Sequence, residues 1–336
     1  MVGLILLISF ALVALLGPPV VRLCWSLGMV AGLDDRRLHK DPTPHGGGIA
    51  MVAVGLPLML LAVRLWDGIP YPRFITVMLI ASAAVAAIGW LDDRYEVRAS
   101  VRLGVHLIAG LAGLAVLPQL FFFLPLVAEK VILAFAWGWF VNLYNFMDGA
   151  DGQAAGEAVV IGLGIAVIVP ALAPLAVVMM GVGLGFLRVN WHPARVFMGD
   201  VGSTWLGYVL GGLLFVALID YTWTVIWPLA TVTLFFSVDA TWTLFRRLGQ
   251  GYRPWVPHKT FWFHRYLALG HTPSQLALGA WGLNIGLLAI AITGHRLQLR
   301  WVTIALGLAW VLVAMLAVRL AEGRQKALAA STEREV

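Results

Sequence analysis

The chain has 336 residues, 61% of them hydrophobic and only 12% charged, with a mean hydropathy of +0.88. A soluble domain carries about 25% charged residues, so the composition excludes a soluble enzyme and predicts an all-α, polytopic membrane protein. The single Cys24 excludes an intrachain disulfide framework and any multi-cysteine metal site, and the net charge of +6 reflects membrane topology rather than nucleic-acid binding.

A membrane span needs roughly 20 mostly apolar residues. Eleven segments fit: 2–23, 47–63, 74–91, 101–117, 126–146, 154–170, 174–189, 204–219, 223–245, 273–293 and 299–320. The count falls to ten if the short segments around Pro170 and Pro174 form one re-entrant pair. The first segment is apolar from Met1 and lacks a basic leader, so it reads as a span and not as a cleavable signal peptide. Residues 1–322 read as one integral-membrane catalytic domain and 323–336 as a cytoplasmic tail, disordered from Ala329.

The basic residues orient this string of spans. Of the 23 Lys and Arg, only Arg64, Arg73, Lys130, Arg296 and Arg300 fall on one side. The positive-inside rule makes the other side cytoplasmic, with the N-terminus outside and the C-terminus inside. An even number of spans would scramble that asymmetry. Trp66, Tyr71, Trp223 and Trp301 suit the interfacial aromatic belts.

Five polar segments then emerge on the cytoplasmic face. In the first, Arg36, Arg37, Leu38, His39 and Lys40 precede Pro42-Thr-Pro-His45-Gly-Gly-Gly48. A basic cluster before a glycine run suits a phosphate cradle and suits a positive-inside anchor equally. In the second, Asp92 and Asp93 stand where a span meets the cytosol, and such a pair can hold a divalent cation or act as base and orienting group. A carboxylate there also opposes the dipole of its own helix. Arg98 and Arg102 follow at one-turn spacing, as phosphate clamps or as anchors.

The third segment carries Asn142, Asn145 and Asp148 at every third position, then Gly149, Asp151 and Gly152. The spacing lines the first three along one side of a helix end, and the glycines break it. Amides and acids in so apolar a run mark a functional site, whereas Asp151-Gly152 alone would be an ordinary turn. The fourth is Phe197-Met-Gly199-Asp200-Val-Gly202-Ser203, where Asp200 offers a hard oxygen ligand suited to Mg²⁺. The fifth, 246–272, sets His258, Lys259, His264, Arg265 and His271 among Trp255, Phe261, Trp262 and Phe263. Cationic and imidazole groups suit a phosphate-rich substrate, and the aromatics suit base stacking or the membrane interface.

Taken together, the ordered segments from about Arg36 to His271 resemble the polyprenyl-phosphate N-acetylhexosamine-1-phosphate transferases, glycosyltransferase family 4. Leu91-Asp92-Asp93-Arg94 resembles the family's Asp-Asp segment, with Arg102 where members place a basic residue for the diphosphate. Asn142–Asp151 resembles its Asn-x-x-Asn-x-x-Asp-Gly-x-Asp-Gly segment, and Phe197–Ser203 its Phe-x-Gly-Asp-x-Gly-Ser segment. Pro42–Gly48 is similar to the Pro-Thr-Pro-Arg-Gly-Gly-Gly of the branch that starts O-antigen on undecaprenyl phosphate. The three-histidine run of the peptidoglycan branch is absent. Within that last loop His258 matches the O-antigen branch and Lys259 keeps the charge, but Phe261 replaces a second histidine.

The resemblance implies transfer of a sugar 1-phosphate from a UDP-N-acetylhexosamine to undecaprenyl phosphate at the bacterial inner membrane, in O-antigen or related cell-envelope synthesis. It implies Mg²⁺, with Mn²⁺ as a substitute, held by Asp200 and Asn145. Asp92 or Asp93 is expected as base or orienting group, with Asp148, Asp151 and His258 also in the catalytic set. Asn142, Arg102, Lys259, His264 and Arg265 are expected to bind substrate. It also leaves room for a homodimer. A different class, an ion-coupled secondary transporter, shares intramembrane acids but is expected to place them near span midpoints and to show internal repeats.

Overall fold

A computed structural model describes residues 1–31, 42–221, 223–253 and 258–335. Arg36, Arg37, Leu38, His39, Lys40 and Trp255, singled out above, lie outside them. Thirteen α-helices run through the described residues: α1 Val2–Ser26, α2 Ile49–Leu65, α3 Pro72–Tyr95, α4 Ala99–Leu114, α5 Leu126–Phe146, α6 Gln153–Ile168, α7 Ala173–Asn190, α8 Gly199–Tyr221, α9 Trp223–Val232, α10 Leu234–Gly249, α11 Trp262–Ala268, α12 Pro273–Arg296 and α13 Arg300–Glu335.

Every expected span falls on a helix, but the helices are not equivalent. Seven are long and apolar enough to cross a bilayer, and α2, α4 and α6 are shorter apolar helices. The ninth segment is broken into α9 and α10, which meet at 70°. Pro228 lies within α9, and the hydroxyls of Thr231 and Thr233 donate to the carbonyls of Trp227 (2.8 Å) and Ala230 (2.9 Å), which weakens the ladder at the break. The segments around Pro170 and Pro174 are separate helices, α6 and α7, joined by a 3₁₀ turn at Pro170–Leu172.

The architecture is helical as expected; a single two-residue antiparallel ladder, Val30–Ala31 with Thr43–Pro44, lies between α1 and α2 among the described residues and is too short to leave a period-two pattern in the sequence. One expectation is corrected: the tail is not disordered from Ala329, since α13 runs on to Glu335. Its Ala, Glu, Lys, Arg and Gln residues are strong helix formers.

α8 is the axis of the bundle and the most enclosed of the long helices, whereas α1 and α13 keep most of their surface outward. α8 packs chiefly on α3 and α5. Its aromatic residues are buried with their polar ends satisfied: Trp205 Nε1 donates to Ser82 Oγ (3.1 Å), and Tyr208 Oη donates to the Ala109 carbonyl (2.8 Å). Trp137 of α5 stacks on Tyr208 at 4.6 Å and donates to the Tyr208 carbonyl (2.8 Å). Without water to accept these bonds, internal pairing is what lets such residues fill the interior.

Small residues set how close the helices come. A Cβ on Gly185 of α7 would lie 2.6 Å from the Phe10 carbonyl of α1. At the polar end, a Cβ on Gly48 would overlap the backbone of Gly202, and one on Gly89 would lie 2.6 Å from the Asp200 carbonyl. Because backbone cannot give way as a side-chain end can, Gly48→Ala is expected to destabilise the protein by about 1–3 kcal/mol, the usual range for overpacking. Thermal unfolding in detergent measures it. An unfolding temperature equal to that of the parent would show that α2 and α8 are not held in this contact.

Candidate active site

The polar segments meet around the first turn of α8. Gly199 adopts φ +74°, a left-handed conformation open to glycine, and the helix begins there with its first N–H groups lacking intrahelical partners. Asp93, at the last turn of α3, supplies the acceptors: Oδ1 accepts from the Asp200 N–H (2.8 Å) and Oδ2 from the Val201 N–H (3.1 Å). A carboxylate unfavourable to the dipole of its own helix thereby answers the positive end of another. His45 Nε2 donates to the Asp93 carbonyl (2.7 Å) and locks that turn.

The glycine run before α2 packs against the same turn. Gly47 N–H donates to the Phe197 carbonyl (3.0 Å) and Gly48 N–H to the Met198 carbonyl (2.8 Å), while Phe197 N–H donates to the Pro44 carbonyl (2.8 Å). Two of the three glycine N–H groups are thus committed to protein, so the run serves close backbone packing rather than an open phosphate cradle.

Arg102, one turn into α4, bridges two helices. Its Nη1 donates to Asp92 and to Asp200 Oδ2 (2.6 Å). All three side chains keep partial exposure, 30% for Arg102, 14% for Asp92 and 22% for Asp200, so the network faces a mouth rather than a sealed core. Asp148 joins this field from the α5–α6 turn. Burial, and after it the charges of Asp200, Asp93 and Asp151, push its carboxyl well above the ordinary carboxylate range.

The other members of the Asn142–Gly152 segment diverge. Asn142 Nδ2 donates to the Gly138 carbonyl of its own helix (2.7 Å), and Asn145 is half-buried at the end of α5. Asp151 is buried and ties two loops together, accepting from His192 Nδ1 (2.7 Å) and from the Ala194 N–H (3.1 Å). Gly152, with φ +69°, donates to Asn190 Oδ1 (3.0 Å), and Asn190 donates on to the Val196 carbonyl (3.0 Å). These bonds join the α5–α6 turn to the α7–α8 loop that delivers Asp200.

The α10–α11 loop forms a lobe on the same turn. Phe263 covers Gly149, where a Cβ would collide with its ring. Phe261 stacks between Phe146 (6.4 Å) and Phe263 (5.8 Å). His258 lies over Phe261 at 4.6 Å with Nδ1 bonded to the Thr260 hydroxyl (2.9 Å), and His264 lies over Phe263 at 4.0 Å. Burial, then Arg247 and Arg246, push the His258 imidazole down to about 4, and burial with His258 and Lys259 does the same to His264. Lys259 is exposed beside them.

Arg265 is redirected. Its guanidinium forms a two-pronged pair with Glu322 of α13, with Nε to Oε1 at 2.8 Å, and so fastens the lobe to the last helix rather than pointing toward the acids. Asp239 of α10, absent from the expected set, holds the lobe from below. It is buried, and both its oxygens accept from the Trp262 N–H at 3.0 Å, the first N–H of α11. An acid four residues before Thr243 in an apolar helix was the available signal, together with the missing side-chain cap at Phe261.

The donor chemistry of the acids bears on whether they can hold a metal. Among the described residues, no three of His, Cys, Asp and Glu stand ready-made around a cation. Asp200 and Asp148 nonetheless offer hard oxygens in a field of excess negative charge, and Asn145 lies three residues before Asp148 at the end of α5. That set fits Mg²⁺, which is usually held by one or two carboxylates and completed by water and substrate phosphate.

Known proteins match this chain over much of its length. Residues 75–218 match the family model described as Glycosyl transferase family 4. A probable undecaprenyl-phosphate N-acetylglucosaminyl 1-phosphate transferase of Bacillus subtilis is 30% identical over 319 residues, 87% of this chain and 85% of that protein. A decaprenyl-phosphate N-acetylglucosaminephosphotransferase of Mycolicibacterium smegmatis is 30% identical over 75% of this chain and 71% of its own. A phospho-N-acetylmuramoyl-pentapeptide-transferase of Thermosynechococcus vestitus is 38% identical over 62% of each chain.

Asp93→Ala removes both acceptors at the start of α8 and is expected to destabilise the protein by about 1 kcal/mol, as lost helix caps do. Asp93→Asn, which keeps one acceptor oxygen, should lose less in the same thermal unfolding. The two imidazoles predict an acid dependence. Their folded-state pKa of about 4 lies below the ordinary 6.5, so the unfolded chain takes up protons first as pH falls. Their contribution to stability is full above pH 6.5 and is lost toward pH 4. Replacing both with Gln should flatten the fall in unfolding temperature across that window, and an unchanged slope would show the imidazoles are not held neutral.

Proposed function

The chain belongs to glycosyltransferase family 4, and from that premise we propose that it transfers an N-acetylhexosamine 1-phosphate from a UDP-sugar to undecaprenyl phosphate, releasing UMP. The observation that carries the reading is the bridge of Arg102 between Asp92 and Asp200 at the helix start capped by Asp93. Three helices, α3, α4 and α8, converge there on one charged cluster. Phosphoryl transfer asks for little more than positioning and charge neutralisation, and this cluster can supply both.

In the proposed reaction an oxygen of the lipid phosphate attacks the sugar-bearing phosphorus of the UDP-sugar. The bond from that phosphorus to the bridging oxygen breaks, and UMP departs with the electron pair. Arg102 exchanges a carboxylate partner for phosphate oxygens as the diphosphate arrives. Asp92 is then released to orient the lipid phosphate, which is already anionic near neutral pH. Lys259, exposed at the rim, adds a second cation. Mg²⁺, held by Asp200 and Asn145 with Asp148 beside them, would neutralise the diphosphate when bound. The acids stand at the cytoplasmic ends of eleven crossings in this reading, which the skew of Lys and Arg supports. His258, His264 and Phe261 form the wall beside the Asp148–Gly152 turn and contribute to the choice of sugar, with O-antigen or a related envelope polysaccharide as the destination.

Purified protein supplied with undecaprenyl phosphate, Mg²⁺ and a panel of UDP-GlcNAc, UDP-QuiNAc and UDP-FucNAc is expected to release UMP with at least one sugar. No UMP with any, together with passage of a labelled solute into proteoliposomes, would overturn the reading in favour of a carrier. Asp200→Asn is expected to lower kcat by about 100-fold or more at limiting Mg²⁺, the scale of losing a charge-stabilising group. Normal turnover there would remove Asp200 from the metal assignment.

A further inference from the structure

Directly behind the Asp148–Gly152 turn, three polar side chains are sealed between apolar helices. Gln153 and Glu157 lie on α6 and Asn284 on α12, exposed by 1%, 0% and 2%. Gln153 and Glu157 are four residues apart, which puts them on one strip of the helix. The register of α12 against that strip is set by Trp281, whose indole lies against Gly156 and whose Nε1 donates to the Gly152 carbonyl (3.4 Å). Asn284, one turn on, donates through Nδ2 to Glu157 Oε2.

That one bond leaves four buried polar atoms without a partner: Nε2 and Oε1 of Gln153, Oε1 of Glu157 and Oδ1 of Asn284. Buried polar atoms without partners are rare, and each is a penalty that ordered water commonly removes. The set comprises an amide donor and three oxygens. A metal cation would use the oxygens but repel the Gln153 N–H, whereas water both donates and accepts and bonds two to four partners.

We propose that Gln153, Glu157 and Asn284 enclose an internal water site that positions the Asp148–Gly152 turn, which makes Glu157 a positioning residue for the transfer reaction. The clause about the reaction rests on the function proposed above; the water site does not. Gln153 is the first helical residue after Gly152, and its N–H closes the turn onto the Ala150 carbonyl (3.2 Å). Water that anchors its side chain therefore holds the α6 end of the turn, beside the Asp151–His192 bond that ties the same end to the α7–α8 loop. Asp148 lies at the opposite end of that turn, just after α5, so its position follows from how the α6 end is held.

The test compares native protein with E157Q, E157L and Q153L by hydrogen–deuterium exchange at 148–156 and by UMP-release kinetics. An amide at 157 still donates and accepts, so E157Q should keep native exchange and a kcat within about twofold of native. E157L and Q153L should speed exchange and lower kcat by about tenfold or more while KM for the UDP-sugar moves less than about threefold, the mark of misplacement rather than lost binding. E157L also strands the buried Asn284 Nδ2 donor, so its unfolding temperature should fall below that of E157Q, and kinetics are compared at a temperature where every variant remains folded. Native exchange and kcat in both leucine variants would overturn the proposal, as would a loss in E157Q equal to that in E157L. If native protein releases no UMP with any sugar, the function fails by itself, and the exchange data still decide the water site. A high-resolution structure with ordered solvent elsewhere but none between α6 and α12 would also overturn it.

Discussion

The positive end of α8 lies at the edge of an apolar bundle, and the Asp93 carboxylate is what answers it. A helix start carries unpaired N–H groups and about half an elementary positive charge, and neither can be left dry. An ordinary cap comes from the residue just before the helix. Here that residue is Met198, whose side chain has no oxygen to offer, so the cap arrives from α3. The arrangement demands that two helix ends touch. Gly89 lets α3 reach the Asp200 backbone, and Gly48 lets α2 reach Gly202 from the other side. The glycines of three sequence segments thus serve a single contact.

That contact decides where the remaining charges can go. With Asp93 committed to backbone N–H groups, Asp92 and Asp200 share one cation, Arg102, and Asp148 has none bonded to it among the described residues. Carboxylates a few ångströms apart in a medium of low dielectric repel strongly, so the cluster is short of positive charge as it stands. Structural ion pairs tend toward balance. A deficit at an open mouth is instead what a site for anionic phosphates needs if a divalent cation arrives with them. Under the proposed reaction, the imbalance that raises the Asp148 carboxyl is a binding energy held for substrate and metal together.

Much of this was legible in the sequence because apolar runs and their polar interruptions are local features. Eleven apolar stretches mark twelve of the thirteen helices, all but α11, and the five polar segments all contribute to the described centre or to its walls. What stayed hidden depended on partners far along the chain. Asp93 reads as one half of an acid pair, and only its contact with Asp200, 107 positions away, separates its capping role from the bridged state of Asp92. Arg265 looks like a phosphate ligand until Glu322 is placed beside it, 57 positions on. The break between α9 and α10 is similarly mute, since Pro228 sits inside a continuous apolar run and Thr residues are neutral until their hydroxyls turn on the backbone.

The lobe over the Asp148–Gly152 turn shows how a departure from the family pattern can be absorbed. Phe261 stands where the O-antigen branch that this loop resembles carries a histidine, and it is clamped between Phe146 and Phe263 at ring distances of 6.4 and 5.8 Å. A histidine there would bring a ring nitrogen into a contact between two hydrocarbon faces and would need a partner for it. Phenylalanine needs none, so the lobe docks by packing and leaves His258 and His264 as the imidazoles over the stack. Docking by packing also makes the lobe depend on Gly149, since any side chain there would displace Phe263. The Asp-Gly-x-Asp-Gly run therefore serves two surfaces at once: its acids face the charged centre and the α7–α8 loop, and its first glycine receives the aromatic wall.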